Sequence, residues 1–134
     1  VIMMHIPSPQ TGDQAIEQAI KDVGADKYPR VTPADIEANI VSEHYFTAAE
    51  GVNHCASDTP ELDLLTFCVL VLKNGFTVTG ESACASPENF NAEIGRRIAR
   101  ENAVQKMWPL MGYALRQHLH TMELVDAAID GGEA

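Results

Sequence analysis

Basic side chains, cysteine and long apolar runs are all scarce in this sequence, and each shortage excludes something. Lys and Arg number 9 against 19 Asp and Glu, a formal net charge of -10. A surface of that sign repels phosphate backbones and anionic lipid, which argues against general nucleic-acid binding and against membrane binding, short of a local basic patch. The three cysteines, Cys55, Cys68 and Cys84, are an odd set without CxxC spacing. That pattern fits a reducing compartment better than a disulfide scaffold. The longest apolar run, Phe67 to Leu72, falls far short of the roughly 18 residues that a bilayer-spanning helix needs. The start, Val1-Ile2-Met3-Met4-His5, has neither a basic leader nor a long apolar core, so no secretory signal is read there and a cytoplasmic location is expected. Metal ligands are equally sparse: His54 and Cys55 are adjacent and rarely bind one ion together, while His118 and His120 on a helix point about 200° apart. No metal and no cofactor is expected.

What is present is a folding sequence. With 46% hydrophobic residues over 134 positions, the composition suits one compact domain. Residues 1–12 read as a flexible tail, 13–129 as the domain and 130–134 as a frayed end. The charge is unevenly placed. Residues 1–66 hold 3 basic and 11 acidic side chains, residues 67–120 hold 6 and 4, and residues 121–134 hold none and 4. An acidic front and an acidic tail thus flank a slightly basic middle.

Three segments carry the chemistry of a helix start: Thr32-Pro33-Ala34-Asp35, Thr59-Pro60-Glu61 and Ser86-Pro87-Glu88. In each, a hydroxyl can accept from an orphan N–H, proline at the first position gives up nothing, and a carboxylate suits the positive end of the dipole. Spacing of apolar residues predicts helices over about Asp13 to Val23 and over Pro33 to about Glu50, the latter closed by Gly51. Thr66 to Lys73 and Phe76 to Glu81, separated by Asn74-Gly75, predict a β-hairpin in which both turn residues take positive φ and Val71 faces Val78. Gly80 reads as a bulge or strand end. A helix from Pro87 to about Met107 presents the small residues Gly95, Ala99 and Ala103 as a groove for close approach. Pro109 should then break or kink the chain, so that a further helix begins near Leu110. On it, Met111, Leu115, His118, Met122 and Val125, with Ile129, form a short heptad seam. A helix docked on its own domain is the first explanation of that seam, and a homo-oligomer interface, made pH-sensitive by His118, is the second. The expected fold is α+β: N-terminal helices, one short antiparallel hairpin, and two C-terminal helices packed on it.

The segments Leu65 to Phe76, Val78-Thr-Gly-Glu-Ser-Ala-Cys84, Asn89-Phe90, Glu93-Ile-Gly95 and Trp108-Pro-Leu-Met-Gly-Tyr113, with Val31-Thr-Pro-Ala-Asp-Ile36 before them, occur in one order. Together they resemble a tailed-phage and prophage family named for gene products forty-nine and sixty-six of two enterobacterial phages, over roughly residues 30–119. The resemblance implies a small phage accessory protein; the family brings no established activity and no catalytic residue with it.

The residues themselves offer three candidate sites. Ser82 and Cys84, between hairpin and helix, would lie near a helix N-terminus, where an anion is stabilised and a thiol activated. Arg96 and Arg100 stack one turn apart without an acidic partner at i±4, and so would complete an anion site. Asp35, Glu37, Glu43 and Glu50 would present a DNA-like acidic face to a basic host protein. No acid and base pair suggests catalysis, and enzyme chemistry would fall to Cys84. The leading expectation is a non-enzymatic accessory protein that binds a host macromolecule and modulates host processes or antiphage defence through the acidic face. The alternative is an oligomeric binder of a nucleotide or another small anion.

Overall fold

Leu65 to Leu72 is a run of apolar and β-branched residues, with hydroxyl-bearing Thr66 near its start, and it forms the central strand around which the rest is arranged. The computed structural model describes residues 12–53 and 59–132. The chain order is α1 (Gly12–Asp22), α2 (Pro33–Asn39), β1 (Ile40–Thr47), α3 (Ala48–Val52), a 3₁₀ turn at Pro60–Leu64, β2 (Leu65–Leu72), β3 (Thr77–Ala83), a second 3₁₀ turn at Pro87–Asn89, and α4 (Ala92–Gly132). The three strands make one antiparallel sheet in the order β1-β2-β3. The class is α+β, as expected from sequence.

The helix expected from Pro33 to Glu50 is not continuous. Thr32 caps α2 through a reciprocal box: its hydroxyl accepts from the Asp35 amide at 3.0 Å and its own amide donates to the Asp35 carboxylate at 2.9 Å. After Asn39 the chain straightens into β1. Its residues, Ile40-Val-Ser-Glu-His-Tyr-Phe-Thr47, are mostly β-branched or aromatic, which lose rotamer freedom in a helix and fit a pleated surface. β2 needs a neighbour on each side for its ladder groups, and a lone hairpin is marginal in water. β1 supplies the second neighbour. A second box, Thr47 with Glu50, then starts α3, and Asn53 ends it in the left-handed region at φ 57°.

The hairpin is present with a different turn. Leu70 faces Val78 and Val71 faces Thr77, one residue away from the expected register. The loop has three residues, Lys73-Asn74-Gly75: the Gly75 amide donates to the Leu72 carbonyl, the Leu72 amide donates to the Phe76 carbonyl, each at 2.9 Å, and only Gly75 takes positive φ. The Asn74 side chain accepts from the Phe76 amide instead of entering that region. A one-residue slip decides which face each side chain occupies, so this turn is what sends Val78 into the core.

One face of the sheet meets α4. Thr66, Cys68, Leu70 and Leu72 of β2 and Val78 of β3 are buried there against Ala99, Ala103 and Met107, with Ile36 of α2 closing the side. Gly80 is neither bulge nor strand end. A Cβ at Gly80 would overlap the Ala99 carbonyl oxygen and the Ala103 amide nitrogen, so the glycine marks the closest approach of helix to sheet. The groove of small residues on α4 receives this strand.

The last segment departs most from expectation. Instead of two helices there is one, which starts at Ala92 rather than Pro87, with the Asn91 side chain accepting from the Ile94 amide as its cap. It also runs through Pro109 without ending. An interior proline costs about 3 kcal/mol. Met107 is fully buried and Trp108 and Met111 pack on the core, so anchoring contacts on both sides of the proline hold the helix to its course. Beyond Met111 the helix leaves the domain: Met122, Val125 and Ile129 are 44%, 43% and 57% exposed. The seam is therefore not docked on its own domain.

Candidate functional site

Strand alternation gives the sheet a second face. Opposite the α4 side stand Phe67, Val69 and Val71 of β2, all half-buried, between Ser42, His44 and Phe46 of β1 and Thr77, Thr79 and Glu81 of β3. At one end the Phe46 and Phe67 rings stack with centroids 5.3 Å apart, and Gly51 of α3 lies against the Phe46 ring. No other described helix packs over this face. The result is an apolar stripe on a central strand, rimmed by hydroxyl, imidazole and carboxylate groups, which is the composition of an interaction surface. Local sequence does not distinguish this face, because β2 is apolar on both sides and Ile36, Ile40 and Val41 fit a helical interval that hides β1.

Three of the expected site residues come together elsewhere, in an unexpected combination. Arg100 reaches from α4 to Glu37 of α2 at 2.9 Å and to Glu43 of β1 at 3.1 Å. The hydroxyl of Tyr45 donates to the other oxygen of Glu43 at 2.7 Å. The hydrogen bond from Tyr45, opposed by partial burial and aided by Arg100, holds the Glu43 carboxyl below its ordinary range. Burial and the Glu43 bond together push the Tyr45 phenol up. Burial works against the charge of Arg100, but the two carboxylates outweigh it and raise its affinity for the proton. Arg100 is thus fully engaged. The missing acidic partner at i±4 is supplied by two distant elements, which local spacing cannot reveal.

The remaining expected residues do not converge. Arg96 is exposed and makes no ion pair among the described residues, while its neighbour Arg97 pairs with Glu101 at 3.7 Å. Ser82 lies in β3 opposite Thr66, and Cys84 donates through Sγ to the Ser86 carbonyl at 3.1 Å. The segment that follows is a three-residue 3₁₀ turn, and α4 starts five residues later under its own cap. Ser82 and Cys84 are consequently not at a helix N-terminus. Of the acidic-face residues, Asp35 and Glu50 serve the two capping boxes and Glu37 and Glu43 hold Arg100, spread over α2, β1 and α3. In the seam, Met111 packs on the core, Leu115 is half-buried, and His118, Met122 and Val125 are exposed. His54 and Cys55 lie outside the described residues; among those described, no three His, Cys, Asp or Glu side chains gather as a metal site. No described helix is long and apolar enough to cross a membrane.

A lesser feature lies between α1 and α4, where Ile16, Ile20, Val31, Pro33 and Trp108 wall a cavity of about 210 Å³. Glu17 at its rim is held by Arg30, whose two donors lower the carboxyl's pKa. α1 itself buries no residue.

Comparison with known proteins adds one relationship. The model of a family described as phage protein (N4 Gp49/phage Sf6 gene 66) matches residues 31–119, from the approach to α2 through the first part of the exposed arm of α4. No curated protein and no solved structure matches the chain.

Proposed function

The chain belongs to this phage protein family, and from that premise we propose that it is a non-enzymatic accessory protein that binds a host protein and so modulates host processes or antiphage defence. The observation that carries this reading is the sheet face that no described helix but α3, at one end, packs over, with Phe67, Val69 and Val71 as its apolar centre. The excess of carboxylates in residues 1–66 indicates the partner's charge. A negative field draws in a basic surface from a distance, and the apolar stripe supplies the short-range contact. The acidic side chains therefore act through their summed field more than as a shaped DNA-like face, since four of them already cap helices or hold Arg100.

Affinity capture from a bacterial host lysate tests the reading. The expected result is a host protein retained at low salt, released as salt rises, and lost with Val69→Lys, a variant whose thermal unfolding should stay close to that of the wild type. Capture that is insensitive to both salt and substitution would overturn it. The alternative, sequestration of a nucleotide or another small anion, would rest on Arg96, because an anion at Arg100 must displace two carboxylates. A thermal-shift panel of nucleotides separates the two readings: a ligand at a hundred times its dissociation constant adds about 2.7 kcal/mol of stability.

A further inference from the structure

The part of α4 beyond the domain carries an apolar stripe that nothing in the described chain covers. Met111, Leu115, His118, Met122, Val125 and Ile129 follow one another at intervals of four, three, four, three and four. From His120 to Gly131 every residue is exposed. A lone helix in water gains little from propensity and takes its stability from covering its apolar face. The interval matters as well. A repeat of 3.5 residues stays in line only against another helix, around which it supercoils, whereas packing on a sheet needs no such period.

The stripe is complementary to its own reverse. Laid antiparallel on a second copy, Met111 meets Ile129, Leu115 meets Val125 and His118 meets Met122, so every layer is filled and the tip of each helix ends at the edge of the other's core. The flanking positions bring Leu119 to Leu119, Thr121 to Thr121, Ala114 to Ala128 and Gly112 to Asp126, so no two like charges face each other. Charge selects the direction. Arg116 donates to Glu123 of its own helix at 3.2 Å, which leaves Asp126 and Asp130 as the acidic charge toward the tip. A parallel pair would set these carboxylates of both chains side by side, while an antiparallel pair places those of the two chains at opposite ends of the contact. A contact in which position i meets j and j meets i closes on a twofold axis without open edges.

We propose that the chain forms a twofold-symmetric dimer through antiparallel pairing of the α4 segments from Met111 to Ile129. This pairing uses a different surface from the open sheet face and stands independently of host binding.

Sedimentation of the full chain over a concentration series provides the first test, with twice the 14.6 kDa chain mass expected. Met122→Glu combined with Val125→Glu should give the single-chain mass, and Gln117→Ala, away from the stripe, should leave the dimer intact. Orientation is read by oxidative cross-linking against the background of the native cysteines. Leu119→Cys, beside the axis, should link to its own copy, and Ile129→Cys, at the far end, should not. A wild-type chain that sediments as one copy at every concentration would overturn the proposal, and so would cross-linking through Ile129→Cys in place of Leu119→Cys.

Discussion

Between Ala92 and Met111, α4 turns Gly95, Ala99, Ala103 and Met107 toward the sheet, one residue in every four. From Leu115 onward the stripe of the same helix runs through Leu115, His118, Met122, Val125 and Ile129, at a shorter average interval and with larger side chains, all but half-buried Leu115 being exposed. Small residues let a backbone approach a sheet closely, and the closeness of Gly80 to Ala99 and Ala103 is the result. Large residues at a 3.5-residue interval instead suit the holes of a facing helix. One continuous element thus carries two kinds of packing surface. The difference in residue size along it marks where the domain body ends.

Substitutions on either side of that boundary should behave differently, and the strongest test lies in the body. Leu70→Ala empties a fully buried position beneath α4 and should cost about 2–5 kcal/mol in denaturant unfolding. Gly80→Ala inserts a Cβ where the backbone of α4 stands. It should cost about 3 kcal/mol or more, since the contact is with backbone and not a side chain that can turn aside. Arg100→Met removes the bond between α4 and the β1 edge while keeping the aliphatic stem, and should cost about 1–2 kcal/mol in this partly exposed setting. In the arm, Leu124→Ala, 58% exposed and off the apolar stripe, should change the unfolding of the body by less than about 0.5 kcal/mol. A Leu124→Ala cost that matches Leu70→Ala would erase the distinction between the two halves of α4.

The Arg100 cluster also gives the body a pH signature. The Glu43 carboxyl has a folded-state pKa below its ordinary 4.5, so its contribution is complete above that value and is lost as pH falls through the depressed one. Burial raises the Cys68 thiol above 9.0, and burial together with Glu43 raises the Tyr45 phenol above 10.0. Their contributions are complete below those values and decline as pH rises beyond them. The contribution of these three groups should therefore hold level from about pH 5 to pH 9 and fall on both sides, with the alkaline fall blunted in Tyr45→Phe. Thermal unfolding across pH measures it.

Sequence patterning was most informative where structure is local. The Thr32 cap, the α1 helix, the hairpin and the small-residue groove on α4 all follow from residues within a few positions of one another. It failed where distant partners decide. Ile36, Ile40 and Val41 satisfy a helical interval, yet β1 forms because β2 needs a second neighbour. Arg100 looked unpaired because Glu37 and Glu43 lie 63 and 57 residues away in sequence. Asn74-Gly75 identified a turn correctly, but the three-residue loop that sets the register depends on Asn74 bonding the Phe76 amide. The open sheet face follows from β1 and was hidden with it. The heptad interval in the arm was visible throughout, and what the structure added is that the arm's own domain does not cover it.

Pro109 sits two residues before the last core contact of α4, and this position has a geometric consequence. A proline removes one backbone hydrogen bond and is the usual place for a helix to bend. The 20 residues from Pro109 to Ile129 make a lever of about 30 Å. A change of about 10° at its base sweeps the tip through about 5 Å, roughly one turn of helix. Small adjustments beside the core are thereby magnified at the far end, where two levers crossing on a twofold axis would restrain one another.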